Sequence, residues 1–88
     1  MNEEEVRVIG EILRNDKRTY ILKQLAQDRE LTWTEITRRI EDEFKIKVNP
    51  NTVSFHLSFL IKRNFVKKVG DHYVFNENSR AIMRGLMK

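Results

Sequence analysis

The chain has 88 residues, enough for one domain with one modest core, and its 40% hydrophobic and 34% charged content is that of a globular rather than a disordered protein. It carries no cysteine, which excludes disulfides, thiolate metal sites and cysteine nucleophiles. The net charge is +4, no apolar run approaches the roughly 20 residues of a membrane span, and the acidic start MNEEEVRV lacks a signal-peptide pattern, so a cytoplasmic protein is expected.

Residues 3–14 are predicted helical. Val6, Ile9 and Leu13 form one apolar stripe, and Val8 with Ile12 forms a second, turned well away from it. Glu3, Glu4 and Glu5 suit the amino end. Asn15 or Asp16 can cap a second helix that runs to about Gln27, with Ile21, Leu22 and Leu25 as core candidates. After a polar break at 28–30, Thr32 and Glu35 form a capping box, with Leu31 and Ile36 at the positions of a hydrophobic staple. The third helix carries Trp33, Ile36, Ile40 and Phe44 on one stripe. Asn49 followed by Pro50 starts a fourth helix, about 50–63, with Val53, Leu57, Leu60 and Ile61 as its buried stripe and Asn64 at its close.

The period then changes. FVKKVGDHYVF, residues 65–75, has β-branched and aromatic residues on both sides of Gly70-Asp71, the pattern of a hairpin with a tight turn. Asn76 or Asn78 can cap a last helix, about 78–88, with Ile82, Met83, Leu86 and Met87 as its apolar residues. The order helix-helix-helix-helix-hairpin-helix is mainly α with a small β-hairpin. With the third and fourth helices short and adjacent, it is a helix-turn-helix followed by a wing, and residues 1–88 are expected to form one such domain.

The residues that carry this reading also resemble a family. TVSFHLSFLIKRNFVKKVGDHYVF resembles the recognition helix and wing of ArsR-like winged helix-turn-helix transcriptional regulators, which read T-V-S-x-H-L-x-x-L, then a hydrophobic strand, a Gly turn and an aromatic returning strand. DKRTYILKQL resembles that family's second helix, and LTWTEI the short strand leading into the helix-turn-helix. The likeness covers about residues 16–76 and is shared with many small archaeal regulators. It implies DNA binding and pairing through the end helices. Two departures stand out. The connector between Ile40 and Asn49 is longer than the usual tight turn, which implies an extended third helix, and the thiolate motif of the metal-responsive members is absent, so metal-regulated release is not implied.

Enzyme chemistry finds little support. His56 and His72 have no spaced partner for a metal or nucleophile site, and the three glycines make no phosphate loop. His56 is expected to pack at the edge of the buried stripe. The run Glu41-Asp42-Glu43 reads as ordinary surface pairing, with Glu35, Arg39 and Glu43 spaced by four, as are Arg38 and Asp42. No cofactor or metal is expected.

The charge is unevenly placed. Residues 1–44 hold 8 Lys/Arg against 11 Asp/Glu, a net of −3, whereas residues 45–88 hold 9 against 2, a net of +7. A basic half suggests a polyanion-facing surface. Opposite Val53, the fourth helix presents Asn51, Ser54, Phe55, Ser58 and Lys62 on one arc. Short polar side chains let a helix approach base edges. Asn can bond adenine, Ser several base edges, and Phe can touch a thymine methyl, while the amino end at Pro50 and Asn51 can point N–H groups at phosphate. Lys45, Lys47, Lys62 and Arg63 flank this arc. Lys67, Lys68 and His72 give the wing, about 66–75, a basic edge for the backbone or minor groove.

The expected partners are therefore double-stranded DNA and a second copy of the chain, without membrane or metal. The dimer would form through Val8, Ile12, Ile82, Met83, Leu86 and Met87, because a chain this short cannot easily cover two wide apolar end faces by itself. A winged-helix module that binds protein in a transcription or replication complex is the alternative. RNA binding is weaker, because no aromatic cluster offers a stacking platform.

Overall fold

The computed structural model describes residues 3–80 and 84. The helices are α1 (Glu3–Leu13), α2 (Asp16–Asp28), α3 (Trp33–Phe44) and α4 (Pro50–Lys62), and the strands are β1 (Glu30–Thr32), β2 (Val66–Val69) and β3 (His72–Phe75). A 3-10 turn, Glu77–Ser79, follows. The predicted last helix, with Ile82, Met83, Leu86 and Met87, lies outside the described residues.

Local signals set the element ends. Asn15 Oδ1 accepts from the Arg18 N–H at the start of α2. Thr32 and Glu35 form the reciprocal capping box at α3: Thr32 Oγ1 accepts from the Glu35 N–H at 3.2 Å, and Glu35 Oε1 accepts from the Thr32 N–H at 2.8 Å. These bonds to the ionised carboxylate hold the Glu35 carboxyl below its ordinary value. Leu31 and Ile36 are both buried, as a hydrophobic staple requires. At α4, Asn49 Oδ1 accepts from the Asn51 N–H and Pro50 takes the first helical position, where its missing N–H costs nothing. The connector between α3 and α4 spans 45–49. Lys45 adopts the left-handed conformation there, and Glu41 Oε2 accepts from the Val48 N–H, so one acidic side chain of α3 holds the turn.

The three strands form an antiparallel sheet in the order β1-β3-β2. Val66 pairs with Phe75 and Lys68 with Tyr73 across the hairpin, and Leu31 pairs with Tyr73 on the other edge. Gly70, at φ +62°, supplies the left-handed backbone of the two-residue turn. One sheet face joins the core. Ile12, Ile21, Leu22, Leu25, Ile36, Ile40, Val53, Leu57, Leu60, Phe65, Val66 and Phe75 are all buried there. Between α4 and β2, Asn64 takes a positive φ, and its carbonyl accepts from Asn76 Nδ2 and Ser79 Oγ beyond β3, which satisfies these two buried polar side chains.

The two apolar stripes of α1 divide in a way that corrects an expectation. Ile12 is fully buried in the chain's own core and so is no free surface for a second copy, while Val8, and Ile9 of the other stripe, are half-buried against that core. The exposed apolar residues of α1 are Val6 and Leu13, at 58% and 53% exposure. The reason is that α1 lies on α2 and Ile12 enters the core that these helices share with the rest of the chain. The expected pairs on α3 are also replaced. Arg39 forms an ion pair with Asp28 and donates to Gln24 Oε1 at 2.7 Å, both on α2, while Arg38 makes no ion pair with Asp42 among the described residues.

Candidate nucleic-acid interface

The candidate interface comprises α4 and the hairpin. Val53, Leu57 and Leu60 have at most 1% exposure, so the inner side of α4 is anchored through its length. This anchoring leaves Asn51, Ser54, Phe55, Ser58 and Lys62 exposed on the outer side, as the spacing predicted. Phe55 is 63% exposed, and its ring contact is an edge-on one to the neighbouring His56, at 5.6 Å between centroids. It does not pack on Phe59. Pro50 is exposed beside Asn51 at the amino end.

In the hairpin, Lys67 and Lys68 are exposed and His72 is half-buried. Lys68 Nζ lies 5.8 Å from the centroid of the Tyr73 ring opposite it, a placement that steers the chain along the strand face. His72 Nδ1 lies 2.8 Å from Asp71 Oδ1 at the wing turn. Val69, at 59% exposure, adds an apolar residue to the tip. Lys45 and Lys47 are exposed on the connector before α4.

Two predicted features differ in detail. His56 is buried at 4% exposure rather than at an edge, and its Nδ1 has no hydrogen-bond partner. Burial pushes the imidazole below its ordinary value of 6.5, and the nearby Arg18 and Lys17 push it further the same way, so the neutral ring is favoured. Arg63, counted among the basic flanks, is not a free cation. Its Nη2 lies 3.2 Å from Glu11 Oε2, and its guanidinium sits 4.1 Å from the centre of the Phe59 ring. Sequence reasoning missed Phe59 as a site of contact. The spacing of four between Phe59 and Arg63 is a signal for half of it, but the approach of Arg18 to the same ring is tertiary.

Among the described residues no group of three or more His, Cys, Asp or Glu side chains could hold a metal ion. No helix among them is long and apolar enough to cross a membrane.

A 12-residue α3 joined by a five-residue connector to a capped α4 with an exposed polar face, and a basic hairpin on a three-stranded sheet, define a winged helix-turn-helix protein. The model of the arsR family of bacterial regulatory proteins matches residues 15–68, and the chain belongs to that family, whose members are non-enzymatic DNA-binding regulators. Among solved structures, it is similar to an ArsR family transcriptional regulator, RHA00566, at TM-score 0.69 and 14% identity, over 99% of this chain and 87% of that one. It is also similar to the homodimeric winged helix-turn-helix DNA-binding domain of Mb0332 from Mycobacterium bovis, at TM-score 0.67 and 25% identity, over 94% of this chain and 74% of that one. No curated protein matches. The chain is thus a DNA-binding transcription regulator of the ArsR family.

Proposed function

We propose that the protein reads a specific duplex DNA site as a dimer, with α4 in the major groove and the wing on the backbone or minor groove. The observation that carries this reading is the split of α4: a fully buried inner side and an outer side of Asn51, Ser54, Phe55 and Ser58 that the rest of the fold leaves exposed. Asn51, Ser54 and Ser58 supply hydrogen bonds to base edges or phosphate, and Phe55 supplies an apolar contact for a thymine methyl. Lys62, Lys67, Lys68 and His72 supply backbone contacts, and the amino end at Pro50 faces phosphate.

The dimer part rests on the exposed Val6 and Leu13 of α1, on the apolar Ile82, Met83, Leu86 and Met87 near the chain end, and on the homodimeric state of the Mb0332 domain. A twofold protein calls for a palindromic site with half-sites about 10 base pairs apart or a multiple of that. Selection of bound duplexes from a random library tests the reading. The expected outcome is one enriched palindrome. Binding no more selective than that of any basic protein, together with tight capture of an acidic protein partner, would favour the protein-docking alternative.

A further inference from the structure

Where α1, α2 and α4 meet, four side chains converge outside the groove-facing surface. Two guanidiniums lie against the Phe59 ring, Arg18 at 4.0 Å and Arg63 at 4.1 Å from its centre. Two like charges against one ring repel, and Glu11 offsets this. Its carboxylate pairs with Arg63 Nη2 at 3.2 Å, and its backbone carbonyl accepts from Arg18 Nη2 at 2.9 Å. Residues of three helices, 52 positions apart at the extremes, are thereby tied at one point. Elsewhere α4 is held by apolar packing, which resists lifting but sets rotation about the helix axis less sharply than directional contacts do.

We infer that Glu11, Arg18, Phe59 and Arg63 form a latch that fixes the carboxyl-terminal half of α4 against α1, making them positioning residues for DNA reading rather than DNA contacts. The inference rests on the proposed groove role of α4. It gives Arg63 a task opposite to the one its place in a basic run implies. A free Arg63 would neutralise phosphate, whereas a latched Arg63 spends its charge on Glu11 and its plane on Phe59. It also links the exposed apolar stripe of α1 to the orientation of the reading helix, because Glu11 lies on that same short helix.

The two roles separate in Glu11→Gln and Arg63→Gln, measured with Phe59→Leu, which keeps the apolar bulk but removes the ring. If the latch holds, each single variant weakens binding to the selected site roughly two- to thirty-fold. The salt dependence stays unchanged, and the Glu11→Gln, Arg63→Gln double variant is no worse than either single, because one shared interaction is lost once. If Arg63 contacts phosphate instead, Arg63→Gln flattens the salt slope and Glu11→Gln tightens binding by freeing the arginine, which overturns the latch. Amide hydrogen exchange in the DNA-free protein provides a separate readout. The latch requires faster exchange in the last turn of α4 in Glu11→Gln and Phe59→Leu, and unchanged exchange there overturns it even if the wild type proves not to select a DNA site.

Discussion

Phe55→Ala tests the proposed reading most directly, because the two uses of an aromatic ring on α4 differ in magnitude and in pattern. A fully buried phenylalanine costs about 3–5 kcal/mol of stability when truncated to alanine. Phe55 is 63% exposed, which leaves a little over a third of it covered, and an exposed ring leaves no closed cavity behind. The stability cost is therefore about 1 kcal/mol, or roughly 4–8 °C in melting temperature for a chain of this size. Loss of a base-reading contact costs about 1–3 kcal/mol, roughly 5- to 140-fold in affinity. That loss should fall at one base pair of each half-site, and the salt slope should not change, because no phosphate contact is removed. Thermal melting and site-preference profiles of this one variant check both. A melting drop corresponding to 3–5 kcal/mol, with affinity falling equally for all sequences, would show that the ring supports the fold and refute the reasoning.

Lys67→Ala together with Lys68→Ala should weaken binding to every sequence alike and lower the salt slope by about 1.8, the value for two phosphate contacts; fluorescence titrations across a salt series read this, and an unchanged slope would remove the wing from the interface. Leu13→Glu, which alters an exposed residue of α1, should convert a dimer to a monomer in sedimentation velocity with little change in helicity, and a wild-type monomer at high micromolar concentration would end the dimer reading. The His56 imidazole is pushed down by burial, so it favours the folded state in its neutral form. Stability should be full above its ordinary value of 6.5 and fall as pH drops from there toward the lowered folded-state value; melts at pH 7.5 and 5 should differ less in His56→Leu than in the wild type.

Most of the fold was legible in the sequence because its signals are local. The Thr32/Glu35 capping box, the Asn49-Pro50 start and the Gly70-Asp71 turn each fix a chain direction with neighbouring residues only, and all three stand in the structure. The outer face of α4 was legible for the same reason: Val53, Leu57 and Leu60 mark the inside, and the rest follows from helical geometry. The two faces of α1 were not legible in this way. Periodicity shows that Val6/Leu13 and Val8/Ile12 lie on different sides, but it carries no information on which side meets α2. The choice is tertiary: Ile12, expected at a surface for a second copy, lies in the core instead.

The charges show a related limit with a consequence for function. A count of basic residues treats Arg39, Arg63 and Lys67 alike. In the folded chain Arg39 is paired with Asp28 and Arg63 with Glu11, whereas Lys67 stands exposed on the wing. The arginines near the helix junctions are held by carboxylates on neighbouring helices, as suits a planar guanidinium with several donors, while lysines with a single mobile ammonium remain on the wing and connector. Formal net charge therefore overstates the positive field near the junctions and is a fair guide at the hairpin. If salt dependence is set by free cations rather than by all cations, the slope for DNA binding should follow Lys62, Lys67 and Lys68 and ignore Arg39. An Arg39→Gln variant that lowered the slope as much as Lys67→Ala would show that such pairs open on the DNA, and this division of labour between the two residue types would fail.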